Sequence, residues 1–223
     1  MLPSPTLENY LKTIYLAQGD LPSTSDLVPM GRLATARGVV AGTATTMVKA
    51  LAKSGLVNYE PYVGVRLTVA GEKLASLVLR RHRLIELFLV RVLGMSWAEA
   101  HDEAEQLEHA VSERVIERLD SLLGRPEVDP RGDPIPTAEG TVSRSEHLDL
   151  LSAPLGTPLV VTRVIDQGAR FLRFAEQHDL TPGSALVIDG RQPGSDAVHL
   201  RSRTGRPNTI SMRAASKVLV RPR

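Results

Sequence analysis

Ala41-Gly42-Thr43-Ala44-Thr45-Thr46-Met47-Val48-Lys49-Ala50-Leu51-Ala52-Lys53 runs into Gly55, and two short runs follow: Leu56-Val57-Asn58-Tyr59 and Val65-Arg66-Leu67-Thr68. Met47, Val48 and Leu51 recur at helical spacing, so a helix is expected from about Thr43 to Lys53, with Gly55 as its stop. The two runs are strand-like and are separated by Pro61 and Gly64, as in a hairpin. Upstream, Ser4-Pro5 is a helix start, because Ser caps and Pro suits the first helical position. Leu7, Leu11 and Ile14, with Tyr10 and Tyr15, make an apolar stripe along that helix. Gly19 and Pro22 end it. A second short helix is expected over Ser25 to Arg37, and Gly38 and Gly42 bracket the turn after it. Three helices followed by a two-stranded hairpin is the winged helix-turn-helix pattern.

In that pattern the helix opening near Gly42 is the one that reads DNA. Thr43, Thr45 and Thr46 place short hydroxyls at its N-terminal end, where such helices approach base edges. Hydroxyls meet donors or acceptors, and Thr methyls suit thymine methyls. Lys49, one turn on, suits a phosphate. Arg66 in the second hairpin strand is a further phosphate candidate. The alternative is a Thr-rich polar face on a small helical domain. The hairpin that follows at the right distance favours DNA.

A second stretch carries different chemistry. His101-Asp102-Glu103-Ala104-Glu105-Gln106-Leu107-Glu108-His109 places His101, Glu105, Glu108 and His109 at i, i+4, i+7 and i+8. On one helix these fall within roughly a 100° arc. Leu107, Ala110 and Val111 point elsewhere. Nitrogen and oxygen donors clustered this way suit a divalent transition metal, although helix carboxylates are usually just solvated. Ser96 with Glu99 is a capping box that opens this helix, which is expected to continue to about Leu123, before Gly124 and Pro126. His82 and Glu86 lie four apart on another long helix, expected from Val69 to about Leu93. Alone they read as a surface pair; beside a second His/Glu helix they become partners for His101. Asn9 has one carbonyl oxygen able to complete a site.

Residues 126–158 are rich in Pro, Gly, Asp, Ser and Thr and read as a linker, with one helical turn near Glu146–Leu151. Beyond them, Leu159–Ile165, Ala185–Asp189, Val198–Arg201 and Val218–Val220 look like short strands. Five or so strands suit an SH3-like barrel better than a sandwich. The chain has 223 residues, 42% hydrophobic and 23% charged, an ordinary globular composition. Cys is absent, which excludes disulfides, thiolate metal sites and a Cys nucleophile. The net charge of +2 is uneven: +2 over residues 1–74, −5 over 75–139 and +5 over 140–223. The acidic middle coincides with the His/Glu stretch. No signal-peptide pattern and no apolar run of membrane-spanning length is present, so a cytoplasmic location and no membrane partner are expected.

The chain resembles the family of diphtheria-toxin-type, iron- or manganese-dependent transcriptional repressors. The residues that carry the resemblance are Glu8-Asn9-Tyr10-Leu11-Lys12-Thr13-Ile14-Tyr15, Leu51–Val57 and Arg81-His82-Arg83-Leu84-Ile85-Glu86. His101-Asp102-Glu103-Ala104 with Glu108-His109, and Asp133-Pro134-Ile135-Pro136, complete it. Phe171–Phe174 and Leu180–Val187 are similar to the family's SH3-like, FeoA-type domain. The resemblance implies a mainly α chain with a small β domain. Its parts are a winged helix-turn-helix over 1–74, a helical metal-binding and dimerisation domain over 75–139, a linker over 140–158 and an SH3-like barrel over 159–223. Matched by position, it implies a primary metal site of Asn9, Glu105, Glu108 and His109 and an ancillary one of His82, Glu86 and His101. Lys12 stands where some manganese-dependent members have a second acidic ligand, which argues against their closely spaced two-metal arrangement. In some members the SH3-like domain also donates ligands. Here that place reads Asp166-Gln167-Gly168-Ala169-Arg170, and Arg170 cannot ligate.

The expectation is a homodimeric repressor, not an enzyme. It binds a palindromic double-stranded operator through Gly42, Thr43, Thr45, Thr46, Lys49 and Arg66 to control metal-homeostasis genes, with no small-molecule substrate. The proposed ligands include no sulfur, so Mn²⁺ leads and Fe²⁺ follows as activating metal. Two rivals stand beside it. A metallohydrolase with a two-metal His/Glu site would need a group to position water, and no such motif is present. A metal-independent winged-helix regulator would leave the His/Glu face merely solvated.

Overall fold

A computed structural model describes residues 4–21, 26–142, 147–166, 168–202 and 205–223. They form two compact units. The first comprises Met1–His82, Glu108–Ala110 and Pro136–Val142; the second comprises Arg83–Leu107, Val111–Ile135 and Ser143–Arg223.

In the first unit, α1 (Pro5–Gly19) starts at Ser4, whose side chain accepts from the Leu7 amide, with Pro5 at the opening position. The turn-linked pair α2 (Met30–Ala36) and α3 (Ala41–Lys53) follows. The second helix is shorter than expected, and its expected start, Ser25, lies outside the described residues. The wing is β1 (Val57–Glu60) against β2 (Gly64–Leu67), antiparallel, pairing Val57 with Leu67 and Glu60 with Gly64. Its tip turns at Tyr62, in a left-handed conformation (φ 65°) and fully exposed. Leu11, Ile14, Leu33, Val48, Leu51, Val57 and Val65 fill one core. The stripes expected on α1 and α3 therefore face inward.

The long helix α4 (Val69–Arg91) contains the boundary between the units. The next helix differs from expectation. Instead of one helix to Leu123, α5 (Trp97–Leu107) ends early and α6 (Glu113–Leu122) restarts after Ser112. Glu108 and His109 therefore lie in the turn between helices, not on a helix face, and Leu107 is partly exposed. The Ser96–Glu99 capping box forms as expected: the Ser96 amide donates to Glu99 Oε2 at 3.0 Å and the Glu99 amide to Ser96 Oγ at 3.4 Å. Ser96 Oγ also donates to Glu99 Oε2 at 2.6 Å, and this bond, with that of the Ser96 amide, holds the Glu99 carboxyl below its ordinary range.

The segment expected to be a plain linker is partly built. Asp129, Arg131, Asp133 and Ile135 are buried, and Val128 bridges Pro134. Gly132 turns there with φ +85°, and a Cβ on it would stand 1.8 Å from the Thr162 carbonyl oxygen, so only glycine fits. The expected helical turn near Leu151 is instead strand β3 (Leu148–Asp149); Glu146 lies outside the described residues. Next come β4 (Pro158–Val164), α7 (Ala169–Gln177), β5 (Ala185–Gln192), β6 (Ala197–Ser202), β7 (Pro207–Ile210), α8 (Met212–Ala215) and β8 (Val218–Pro222). The sheet order is β3-β8-β4-β5-β6-β7, with antiparallel pairing throughout. Register shifts at Val161/Arg163 and Ile188/Gly190 mark bulges, which strengthen sheet twist. Trp97 packs into this sheet's core, and a smaller helical core gathers Leu84, Leu87, Ala100, Ala104 and Ile116. The amphipathic α7, carrying Phe171, Leu172, Phe174 and Ala175, is a difference from the sequence expectation, which places no helix after the turn-like stretch before it. Among the described residues, no helix is long and apolar enough to cross a membrane.

Candidate metal centre and DNA-reading face

In the first unit, α1, α4 and the turn after α5 meet at Glu108. Its carboxylate is 0% exposed. A buried carboxylate is stable only with positive charge and hydrogen bonds around it. His82 Nδ1 lies 2.7 Å from Oε2, and His109 Nε2 lies 3.2 Å from Oε1. Lys12 Nζ donates to both oxygens, at 2.7 and 2.9 Å. Asn9 Oδ1 stands 3.2 Å from His109 Nε2. Four sequence-expected residues (Asn9, His82, Glu108 and His109) are thus brought together.

The orientation of His109 is set from behind. Its Nδ1 lies 2.8 Å from Glu8 Oε2, and Arg81 donates to that same oxygen at 3.0 Å. A ring nitrogen anchored on a carboxylate leaves the other nitrogen directed at the site, which is how metal-binding imidazoles are commonly held. His109 Nε2 lies 3.2 Å from Glu108 Oε1 on one side and 3.2 Å from Asn9 Oδ1 on the other. Donor atoms sharing one ion at about 2.1 Å in octahedral geometry lie about 3 Å apart. The set therefore fits a divalent cation in spacing and in chemistry, one carboxylate, one imidazole and one amide oxygen.

Glu8 is not among the residues expected at this site, and Lys12 is expected there only as the residue standing at a second ligand's position. Both are buried. Their signal was their position: with Asn9 they share a face of α1 at i, i+1 and i+4.

A second cluster lies in the second unit. Glu86 Oε1 is 3.3 Å from His101 Nδ1, and Glu86 Oε2 accepts from Arg131 at 2.7 Å. Arg131 is 2% exposed, and its guanidinium also bonds Asp129 at 3.3 Å. Asp129 Oδ1 accepts from the Arg131 and Asp133 amides, at 2.8 and 2.9 Å. Arg83 faces Asp129 and Asp133, and Arg163 pairs with Asp133. Burial pushes the Asp129 carboxyl up to about 6, with Arg131 pulling against it. Burial lowers Arg83, against the attraction of Asp133 and Asp129. For Arg131, burial works downward, but Glu86, Asp129 and Asp133 outweigh it and raise its pKa. Glu105 is half-buried on α5, one turn after His101. In the β domain, Asp166 accepts from Gly168 and pairs with Lys217, which holds its carboxyl low against burial; Gln167 lies outside the described residues.

On α3, Gly42, Thr43, Thr46 and Lys49 are exposed and Thr45 is half-buried. Nothing stands within 4 Å of where a Cβ on Gly42 would be, so backbone is open to close approach. Thr45 Oγ1 donates to the Ala41 carbonyl at 2.8 Å and Thr46 Oγ1 to that of Gly42 at 3.0 Å. Their protons are spent inside the helix, which leaves acceptor lone pairs and methyls outward. That narrows the sequence expectation, which allowed donors as well. Arg66 is half-buried in the wing, opposite Asn58.

Known proteins match this arrangement along the chain. Residues 3–65 match the iron dependent repressor N-terminal DNA binding domain, 68–137 the iron dependent repressor metal binding and dimerisation domain, and 148–222 the FeoA domain. The iron-dependent repressor IdeR of Mycobacterium tuberculosis is 34% identical over 163 residues, 70% of this chain and 69% of that protein. The diphtheria toxin repressor of Corynebacterium glutamicum is 34% identical over 199 residues, 86% of this chain and 82% of that one. A solved manganese-dependent transcriptional repressor in complex with manganese superposes with a TM-score of 0.86 at 36% identity, over 97% of this chain and 100% of that chain. The domains occur in the family's order and the relatives are covered over more than two thirds of their length, so the chain belongs to the diphtheria-toxin-repressor family of iron- and manganese-dependent transcriptional repressors, metal-dependent DNA-binding regulators and not enzymes.

Proposed function

We propose that this chain is a cytoplasmic, Mn²⁺-activated repressor that binds a palindromic operator as a homodimer and controls metal-homeostasis genes, with Fe²⁺ as the alternative activator. One observation carries the reading: Asn9 of α1 stands 3.2 Å from His109 Nε2, itself 3.2 Å from the buried Glu108 carboxylate. The DNA-binding head and the segment after α5 thereby offer donors to one point. A metal there would join α1 to that turn by coordination. Glu108, His109 and Asn9 would hold it, and Glu8 would orient His109. The ligand sets that the family resemblance implies add Glu105 to this position and give His82, Glu86 and His101 to a second.

Mn²⁺ is preferred because the donors are oxygen and imidazole with no sulfur. The manganese in the solved relative supports the same choice. Two-fold symmetry in the protein calls for two half-sites about one helical turn of DNA apart. The outward Thr45 and Thr46 acceptors and methyls suit base amino groups and thymine methyls. With α1 joined by metal to the turn after α5, operator and metal bind with mutual reinforcement. Gel shifts on operator DNA with Mn²⁺, and again with excess chelator, test this; equal binding in both sinks it.

A further inference from the structure

We propose that Lys12 is a resident cation of the metal centre. In the metal-free chain its ammonium neutralises the buried Glu108 carboxylate. A divalent ion then takes that carboxylate only by displacing the ammonium, so Lys12 sets the metal concentration at which the centre fills. The inference rests on the proposed reading that the metal binds at Glu108.

The geometry leaves little room for both cations. Lys12 Nζ lies 2.7 Å from one oxygen of Glu108 and 2.9 Å from the other, so it straddles the carboxylate. A divalent ion bound to that group sits about 2 Å from an oxygen. An ammonium left in place would then face a doubly charged ion at close range, in a site where the carboxylate is 0% exposed and the lysine side chain 7%. Repulsion between such charges is strong wherever water is excluded. Lysine suits the role: it is a compact charge on a flexible four-carbon stem, able to swing away without moving α1. His82 bears on one oxygen of Glu108 and His109 on the other, whereas Lys12 meets both at hydrogen-bond distance.

The same contact bears on the metal-free state. Lys12 and Asn9 belong to α1, as does Glu8, which meets Arg81 and His109. Through Lys12 and Glu8, α1 thus already contacts Glu108 and His109, two of the residues that would hold the metal. Metal therefore exchanges one electrostatic tie for another.

The test is calorimetry of the full chain with Mn²⁺, comparing wild type, Lys12→Met and Lys12→Arg. Lys12→Met keeps the stem and removes the competitor. Its metal affinity should rise by about tenfold or more, with a lower melting temperature without metal and a larger metal-induced rise. Lys12→Arg keeps the charge and should bind no more tightly than wild type. A Lys12→Met affinity equal to or weaker than wild type overturns the proposal, while wild-type binding leaves the parent reading intact. Absence of any Mn²⁺ binding by the wild type overturns both. A measurement on the wild type does not depend on either variant folding. The chain has only five lysines. With ¹⁵N-labelled lysine, the Lys12 ammonium resonance should shift or vanish on adding diamagnetic Cd²⁺ in stoichiometric amount; an unchanged resonance with Cd²⁺ bound overturns the proposal.

Discussion

Glu108 and Glu86 are both buried carboxylates with a basic side chain upon them, and the cations differ in a way that separates their roles. On Glu108 the cation is an ammonium at the end of a flexible stem, with imidazoles beside it. On Glu86 it is the guanidinium of Arg131, planar and locked by Asp129 into a chain of pairs through Arg83, Asp133 and Arg163. The loop around Arg131 is itself shaped by Asp129 accepting two backbone amides and by Gly132 pressed against Thr162. A flexible point charge can give way to another cation; an embedded fork cannot without dismantling its loop. Burial and charge alone therefore do not tell the two carboxylates apart: Arg131 keeps Glu86 Oε2 and leaves for a metal Oε1, the oxygen facing His101. What matters is how replaceable the compensating cation is.

The largest effect that would break this contrast is expected at Arg131. Arg131→Met strands Glu86 and Asp129, and removing one side of a buried pair costs about 3–5 kcal/mol. Urea unfolding of the metal-free protein measures it; a loss of less than about 1 kcal/mol, the scale of a surface pair, would erase the distinction.

His109→Ala tests the exchangeable side. Outer-shell changes at metal sites commonly cost 10–100-fold in affinity, so loss of a ligand should cost about 100-fold or more, which is about 2.8 kcal/mol. Calorimetry with Mn²⁺ reads the loss, and circular dichroism should find the metal-free variant folded. Unfolding without metal would make His109 structural.

Asp129 sharpens the comparison through pH. Burial raises its folded pKa to about 6, above the ordinary 3.8, so the folded state holds the proton more tightly than the unfolded chain. For a carboxyl shifted upward, stability rises as pH falls through 6 towards 3.8 and declines as pH climbs back. Relative to Asp129→Asn, the metal-free wild type should gain about 1 kcal/mol between pH 7 and pH 5. A difference constant over that window would mean that the ion pairs hold Asp129 charged throughout.

Lys49→Ala should have the smallest effect. As an exposed phosphate contact it should weaken all operator sequences alike and lower the salt dependence by about one counterion. Altered base preference in this variant would move Lys49 from backbone to base contact.

The winged helix was legible because its signals are local. Apolar spacing along α1 and α3, Gly55 after the helix and the paired short runs of the wing each point the same way. The donors Asn9, His82, Glu108 and His109 were legible as residue types at telling positions. Their arrangement was not. Periodicity continued the helix through Glu108 and His109, yet the chain breaks at Leu107 and presents both from a turn. Propensity along a helix face does not register where tertiary packing makes a chain change direction.

The sequence by itself determined the helices and strands of the winged helix and which atoms are available to a metal or to DNA, since both follow from short-range spacing and residue chemistry. Only the tertiary structure decided that Lys12 is buried on Glu108 and Glu8 on His109, and that Arg131 from a Pro- and Gly-rich stretch closes on Glu86. A charged side chain is solvated unless distant parts of the chain exclude water from it, and the partners that make such burial tolerable lie 96 residues away for Lys12 and 45 for Arg131.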